Sequence, residues 1–217
     1  MIRQWSKNHK ASLFYAIIIA SCLTLISCSD NKTQKSDYQW PIIEGFPKPQ
    51  VPHNNPMTLA KVNLGKVIFF DKGLSANEQQ SCASCHHQKF AFGEDIPQSI
   101  GSTQQAHRRN SPALVNIAYN KTLTWAHDGL MSIEQQILLP MFGEFPVELG
   151  ITGHEEEVLA RFNTLKYQTL FASAFPEQKV SFDLIVKALA SYVRSLISLN
   201  APFDHYAYLG KDDAISA

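Results

Sequence analysis

Cys82-Ala83-Ser84-Cys85-His86 brings two thiols and an imidazole together within one short string. The C-x-x-C-H spacing is that of covalent c-type haem attachment. On a helical turn, cysteines three apart face the same way, so both sulfurs can reach the two vinyl groups of one haem. His86 follows and supplies the proximal nitrogen to the iron. Its other ring nitrogen is expected to donate to a backbone carbonyl, which orients the ring and tunes its basicity. Three other chemistries use the same residue types. A zinc site needs two more ligands at suitable spacing, and no cysteine remains to provide them. A thioredoxin-like dithiol needs a βαβ context, which this sequence lacks. A disulfide closing so small a loop would stabilise little. His87 reads as a surface neighbour, because the iron faces only one of the adjacent pair; His53, His154 and His205 form no constellation.

Elements must hold that motif in place, and the apolar periodicity shows which. Trp40 to Pro56 is rich in proline and reads as extended wrapping. Asn55-Pro56 reads as an N-cap and first-turn pair opening a helix through Leu59, Val62, Val67 and Phe70. Asp71 to Gln80 reads as a loop, and Ser111-Pro112 as the start of a helix with Leu114 and Ile117 inward. Capping boxes are expected at Ser132 with Gln135 and at Thr152 with Glu155. The second leads a helix with Val158, Leu159, Phe162 and Leu165 on one side. Phe182, Ile185, Val186, Leu189, Val193, Leu196 and Ile197 keep the clearest helical repeat. No alternating run is long enough for a sheet. The expected fold is mainly α, with long loops of the kind that wrap something.

With 217 residues, 45% hydrophobic and 18% charged, the chain suits one domain or two, and is neither disordered nor fibrous. Basic and acidic residues both number 19, which gives no reason to expect a nucleic-acid partner. Arg3, Lys7 and Lys10 precede an apolar run from Ala11 to Ser27, as in a secretory signal. Leu25-Ile26-Ser27-Cys28 looks like a bacterial lipobox, with Cys28 diacylated and cleavage just before it; the other reading is a plain membrane anchor, for which the run is marginal. Two acyl chains would anchor the protein durably. Removing residues 1–27 takes three basic residues and no acidic one, so the remainder is mildly acidic. Export implies an oxidising compartment, the periplasm.

Around the haem motif stand Leu64-Gly65-Lys66, Phe69-Phe70-Asp71, Leu74-Ser75 and Ile100-Gly101. Further on come Arg109-Asn110-Ser111-Pro112, Leu114-Val115-Asn116, Trp125, Glu134-Gln135-Gln136, Pro146-Val147-Glu148 and Asn200-Ala201-Pro202-Phe203-Asp204. In this order, over nearly all of the chain past the signal, they resemble the bacterial di-haem cytochrome c peroxidase family, which includes MauG-like proteins. The resemblance implies a cytochrome c-type haem domain at 53–177, after a signal at 1–27 and a tether at 28–52. Residues 178–217 would be the opening helix of a truncated second haem domain, its apolar stripe short of a packing partner. One haem c is implied in this chain and two in the complete architecture.

The resemblance also implies roles. Glu148 matches the distal carboxylate, suited to moving a proton between the oxygens of hydrogen peroxide, and Gln136 the distal glutamine that orients it. Trp125 matches the tryptophan between the haems, and is equally readable as a core aromatic. Asn110 falls where the family has a calcium ligand. Arg109 could neutralise a haem propionate or be a solvated cation. Many members follow Ile-Gly with a histidine that caps the resting iron, where this chain has Ser102, so an open iron is expected; His107, five residues on, is the other candidate ligand. The expected activity is peroxide reduction with electrons from a small periplasmic cytochrome c or cupredoxin, the protein lipid-anchored to the membrane and a homodimer admitted. The alternatives are a MauG-like oxidase of a partner protein and a mono-haem electron carrier, with Met131 or Met141 as sixth ligand.

Overall fold

Thr58, rather than Asn55, opens the first helix. A computed structural model describes residues 38–42, 45–125 and 129–216, so the signal, Cys28 and the first part of the 28–52 segment lie outside the described residues. In it α1 spans Leu59–Phe69, with the Thr58 hydroxyl accepting from the Lys61 amide at 3.2 Å. Asn55 is instead fully buried, and its side chain donates to Glu134 and to the Lys187 carbonyl. A side chain that bridges two other elements cannot also cap a helix.

The haem-motif turn α2 (Cys82–Cys85) follows a 3-10 turn at Lys72–Leu74. Then come α3 (Ile133–Phe142), α4 (Glu155–Arg161), α5 (Leu165–Ala174), α6 (Phe182–Arg194) and α7 (Pro202–Leu209). The described residues contain isolated bridges and no strand. The mainly α expectation therefore holds. Residues from Ser36 on form one compact unit. In it α1 packs along α6 and touches α5, while α3 packs against α6.

The α1–α6 crossing is close because Gly65 makes it so. A Cβ at Gly65 would lie 2.0 Å from the Ala188 carbonyl oxygen. The expectation that α6 lacks a packing partner fails. Leu184, Ile185, Val186, Ala188, Leu189, Ala190, Tyr192 and Val193 are all buried in the core that holds Leu64, Ile68 and Phe69. Its apolar stripe is covered by α1 and α3.

Three local expectations are also corrected. Ser111-Pro112 opens no helix, and only a 3-10 turn at Ile117–Tyr119 forms. The amides of Leu114 and Val115 go to the Ala91 carbonyl and that of Asn116 to Leu196, so the backbone serves distant partners. Thr152 does not cap α4; its hydroxyl donates to Phe142, and His154 occupies the cap. Leu165 is exposed at the start of α5, because the chain breaks after Phe162. Ser132 does cap α3, accepting from the Gln135 amide at 3.2 Å, while the Gln135 side chain takes the Met131 amide.

Candidate haem site

Local hydrogen bonds shape the Cys-x-x-Cys-His turn. The Ser81 amide donates to the Ser84 hydroxyl at 3.0 Å, and the His86 amide to the Cys82 carbonyl at 2.9 Å. The chain then folds back, His87 N–H donating to Gly93. Ala91 and Phe92 both take positive φ, which turns the Phe92 carbonyl onto His86 Nδ1 at 2.7 Å. This is the backbone acceptor expected for a proximal histidine, and it leaves Nε2 for a metal. Burial pushes the His86 imidazole below its ordinary pKa, so the ring is neutral and able to ligate.

Cys82 and Cys85 are both free thiols. Burial pushes each up to about 12, with the charge of Glu94 and then Glu148 adding to the effect at Cys85. A reactive redox dithiol needs a depressed thiol pKa, so that chemistry does not fit. Among the described residues no group of three or more His, Cys, Asp and Glu is placed to hold a metal ion.

The turn forms one wall of a cavity of about 560 Å³. Its apolar lining includes Phe69, Leu114, Ile117, Leu189 and Val193. Cys82, Cys85, His86, Arg109, Asn110, Trp125, Gln136 and Glu148 all line it too, so one chamber gathers these eight residues singled out in the sequence. Two thiols and a neutral imidazole on one wall, with an apolar chamber beyond, fit a covalently held haem.

Another part of the lining is built by long-range backbone contacts. The loop of residues 99–109 pairs with itself, Ser99 N–H to Arg109 and His107 N–H to Ser99. Ser102 N–H donates to the Glu148 carbonyl at 2.8 Å, and Leu149 N–H to Pro140 at 2.9 Å. Glu148 is thereby pinned between this loop and α3. Burial, and then the charge of Glu94, raise its carboxyl to about 7. Gln136 on α3 has a buried Oε1 with no hydrogen-bond partner among the described residues. The Ser102 hydroxyl sits by Gly150, 3.0 Å from where a Cβ would stand, and does not line the cavity.

Other placements differ from expectation. Trp125 is no core aromatic: it is 58% exposed, with its indole N–H on the Asn110 carbonyl at 2.9 Å. Arg109 is exposed at the cavity edge. Met131 is 83% exposed and does not line this cavity, whereas Met141 is buried against it. Glu94 escaped notice in the sequence. Its carboxylate accepts from the Ser99 hydroxyl and the Ser111 amide beside Cys85, and no local motif signals it. Arg161 escaped notice too; its guanidinium binds the carbonyls of Gly73, Ser75 and Ala76 and so fixes the loop before the motif.

A model of the di-haem cytochrome c peroxidase family matches residues 59–213. The chain belongs to that family. The methylamine utilization protein MauG of Methylophilus methylotrophus is 34% identical over 180 residues, covering 80% of this chain and 51% of that protein. The cytochrome c551 peroxidase of Pseudomonas aeruginosa is 31% identical over 169 residues, 75% of this chain and 46% of that one. Among solved structures, a MauG-like protein associated with microbial copper homeostasis is 38% identical, with a TM-score of 0.78 over 82% of this chain and 52% of its own. The chain thus spans about half the length of these relatives. Membership of the di-haem peroxidase family makes the cofactor a c-type haem, which is what the cavity fits.

Proposed function

We propose that this chain carries the peroxide-reducing haem of a periplasmic cytochrome c peroxidase. The observation that carries the reading is the cavity itself, which sets Glu148 and Gln136 in the same chamber as the Cys82-Cys85-His86 wall. Cys82 and Cys85 would hold the haem, His86 would ligate its iron, and Arg109, exposed at the cavity edge, would neutralise a propionate. When bound, the haem supplies the redox iron. Glu148 ionises near pH 7, so it takes a proton from one oxygen of hydrogen peroxide and returns it to the other as water leaves. The Gln136 amide orients the peroxide. The apolar lining excludes bulk water and keeps that proton between the two groups that need it.

A small cytochrome c or cupredoxin would supply the electrons, and Trp125, exposed at the cavity edge, would help them reach the haem. Asn110 would supply a calcium ligand, as the family resemblance implies. Cys28 carries the lipid that holds the protein at the periplasmic membrane surface, and an acyl-dependent mass shift lost in Cys28→Ser tests it. Oxidation of a partner protein is a second reading, favoured by an exposed indole at the cavity edge.

Glu148→Gln in the haem-loaded protein tests the main reading. Peroxide turnover with a reduced cytochrome donor should fall at least about 100-fold with the haem still attached. In the parent protein the rate should rise with pH through about 7, where the carboxyl loses its proton. Full turnover in the variant would refute the assignment.

A further inference from the structure

Glu94 stands on the stretch of chain that folds back over the haem-motif turn. The Phe92 carbonyl meets His86 Nδ1, the Gly93 carbonyl accepts from His87 N–H at 2.9 Å, and Glu94 comes next. Gly93 packs on the backbone of the segment after Ser111, where its Cβ would stand 3.2 Å from the Ala113 nitrogen. Against that segment, Glu94 Oε2 accepts from the Ser111 amide at 3.2 Å and from the Ser99 hydroxyl. Ser99 is 2% exposed. Its one hydroxyl proton goes to Glu94, so the Ser111 hydroxyl, 2.9 Å away, is the donor between the two serines. Two hydroxyls and an amide thus run in one direction and end on a single carboxylate oxygen, the arrangement of a fixed anion. Ser99 and Ser111 line the haem cavity together with Cys85 and His86.

The proximal histidine itself has a neutral partner, since His86 Nδ1 meets a peptide carbonyl. Negative charge on this side of the cavity therefore comes from Glu94. No ion pair joins Glu94 to a cation among the described residues, and Arg108 and Arg109 are exposed at the cavity edge. Its charge reaches the groups around it. Burial and then Glu94 raise both the Cys85 thiol and the Glu148 carboxyl, while at His86 the Phe92 carbonyl and then Glu94 work against burial. We propose that Glu94 is a positioning residue whose fixed charge, set beside Cys85 and His86, holds the haem iron in its oxidised form. This goes beyond the peroxidase reading, because it rests on haem at Cys82 and Cys85 and not on turnover. Ferric iron carries one more positive charge than ferrous iron, so a nearby anion favours it, and an apolar lining screens that attraction little.

Redox titration of the haem-loaded protein against a dye of known potential reads the charge without turnover. Glu94→Gln keeps the length of the side chain and an acceptor oxygen for Ser99 and Ser111, and removes the charge. At pH 7 and a fixed dye potential, the ferrous-to-ferric ratio should rise about tenfold, which is about 59 mV for one electron. Glu94→Asp should stay within about twofold of the parent. The same changes belong in a Glu148→Gln background too, because losing Glu94 lets Glu148 ionise earlier and restores part of the charge. There the rise should be at least as large. An unmoved ratio in Glu94→Gln in both backgrounds, or in Glu94→Asn if the first variant loads no haem, overturns the proposal. So does a rise in Glu94→Asp as large as that in Glu94→Gln, since position and not charge would then set the ratio. A carboxylate that merely clips two segments together would lower the melting temperature of Glu94→Gln and leave the ratio where it was. Were Glu148→Gln to keep full peroxide turnover while the Glu94 shift held, the peroxidase reading would fall and the anion would stand.

Discussion

Ala91 and Phe92 have φ of 55° and 61°, values costly for residues other than glycine and rare for an aromatic. The strain has a visible use, for it is Phe92 whose carbonyl meets His86 Nδ1 while its ring packs near Phe69. Gly65, one turn before Phe69 on α1, is constrained by position too. The atoms a Cβ would strike there are backbone, Ala188 oxygen at 2.0 Å and carbon at 2.6 Å, and cannot swing aside. Gly65→Ala should therefore separate α1 from α6 and destabilise the protein by about 3 kcal/mol. At roughly 2–4 °C per kcal/mol for a chain of this size, the melting temperature should fall by about 10 °C. An unchanged melt would show that the two helices do not cross at this glycine.

Between elements, the tightest polar link joins α3 to α6. Both Glu134 oxygens lie 2.9 Å from Arg194 Nη2, and Arg194 is 2% exposed. Asn55 adds a third hydrogen bond to Glu134 and accepts from buried Lys61 of α1, so the network ties α1, α3 and α6 to the wrapping segment. Burial alone would raise the Glu134 carboxyl, but the Asn55 amide and the Arg194 guanidinium outweigh it and hold it below its usual range. A depressed folded-state pKa means stability that is present above the ordinary carboxylate range and lost as pH falls through it. Arg194→Leu should cost about 3 kcal/mol, because it strands a buried carboxylate, and should flatten the acid limb of the stability profile. Adding Glu134→Leu should restore much of the loss. Chemical denaturation from pH 3 to 7 checks both; a double variant no better than the single one would mean that packing, not charge, sets the cost.

For the molecule as a whole, the cavity of about 560 Å³ is bounded by α2, α3, α6 and the 99–112 segment, so its filling couples elements distant in sequence. A group that fills it and is bonded to α2 should hold the rest in register. Replacing both Cys82 and Cys85 by Ser removes the covalent attachment. That variant should give no haem stain after denaturing electrophoresis, and its melting temperature should drop by about 10 °C or more. Stain persisting in the variant would refute thioether attachment at these residues.

The sequence by itself determined whatever depends on neighbours along the chain. The C-x-x-C-H spacing specifies a turn that aims two sulfurs and an imidazole at one group, and the repeat from Phe182 to Val193 specifies a helix with one apolar face. Ordered strings over the chain were enough to read the family and to place Glu148 and Gln136 by resemblance. Local spacing failed where the backbone serves distant partners. Asn55 looked like a cap and is a buried bridge, and Ser111-Pro112 looked like a helix start but lies in a segment that hydrogen-bonds Ala91 and Leu196. The packing of α6 could not be read, because a stripe shows that a face will be covered and not what covers it. Only the tertiary structure brought Glu94 beside Cys85, and His107 within 4.0 Å of Glu148. Those contacts depend on how loops close, and loop closure is decided by packing and burial between residues that the sequence leaves far apart.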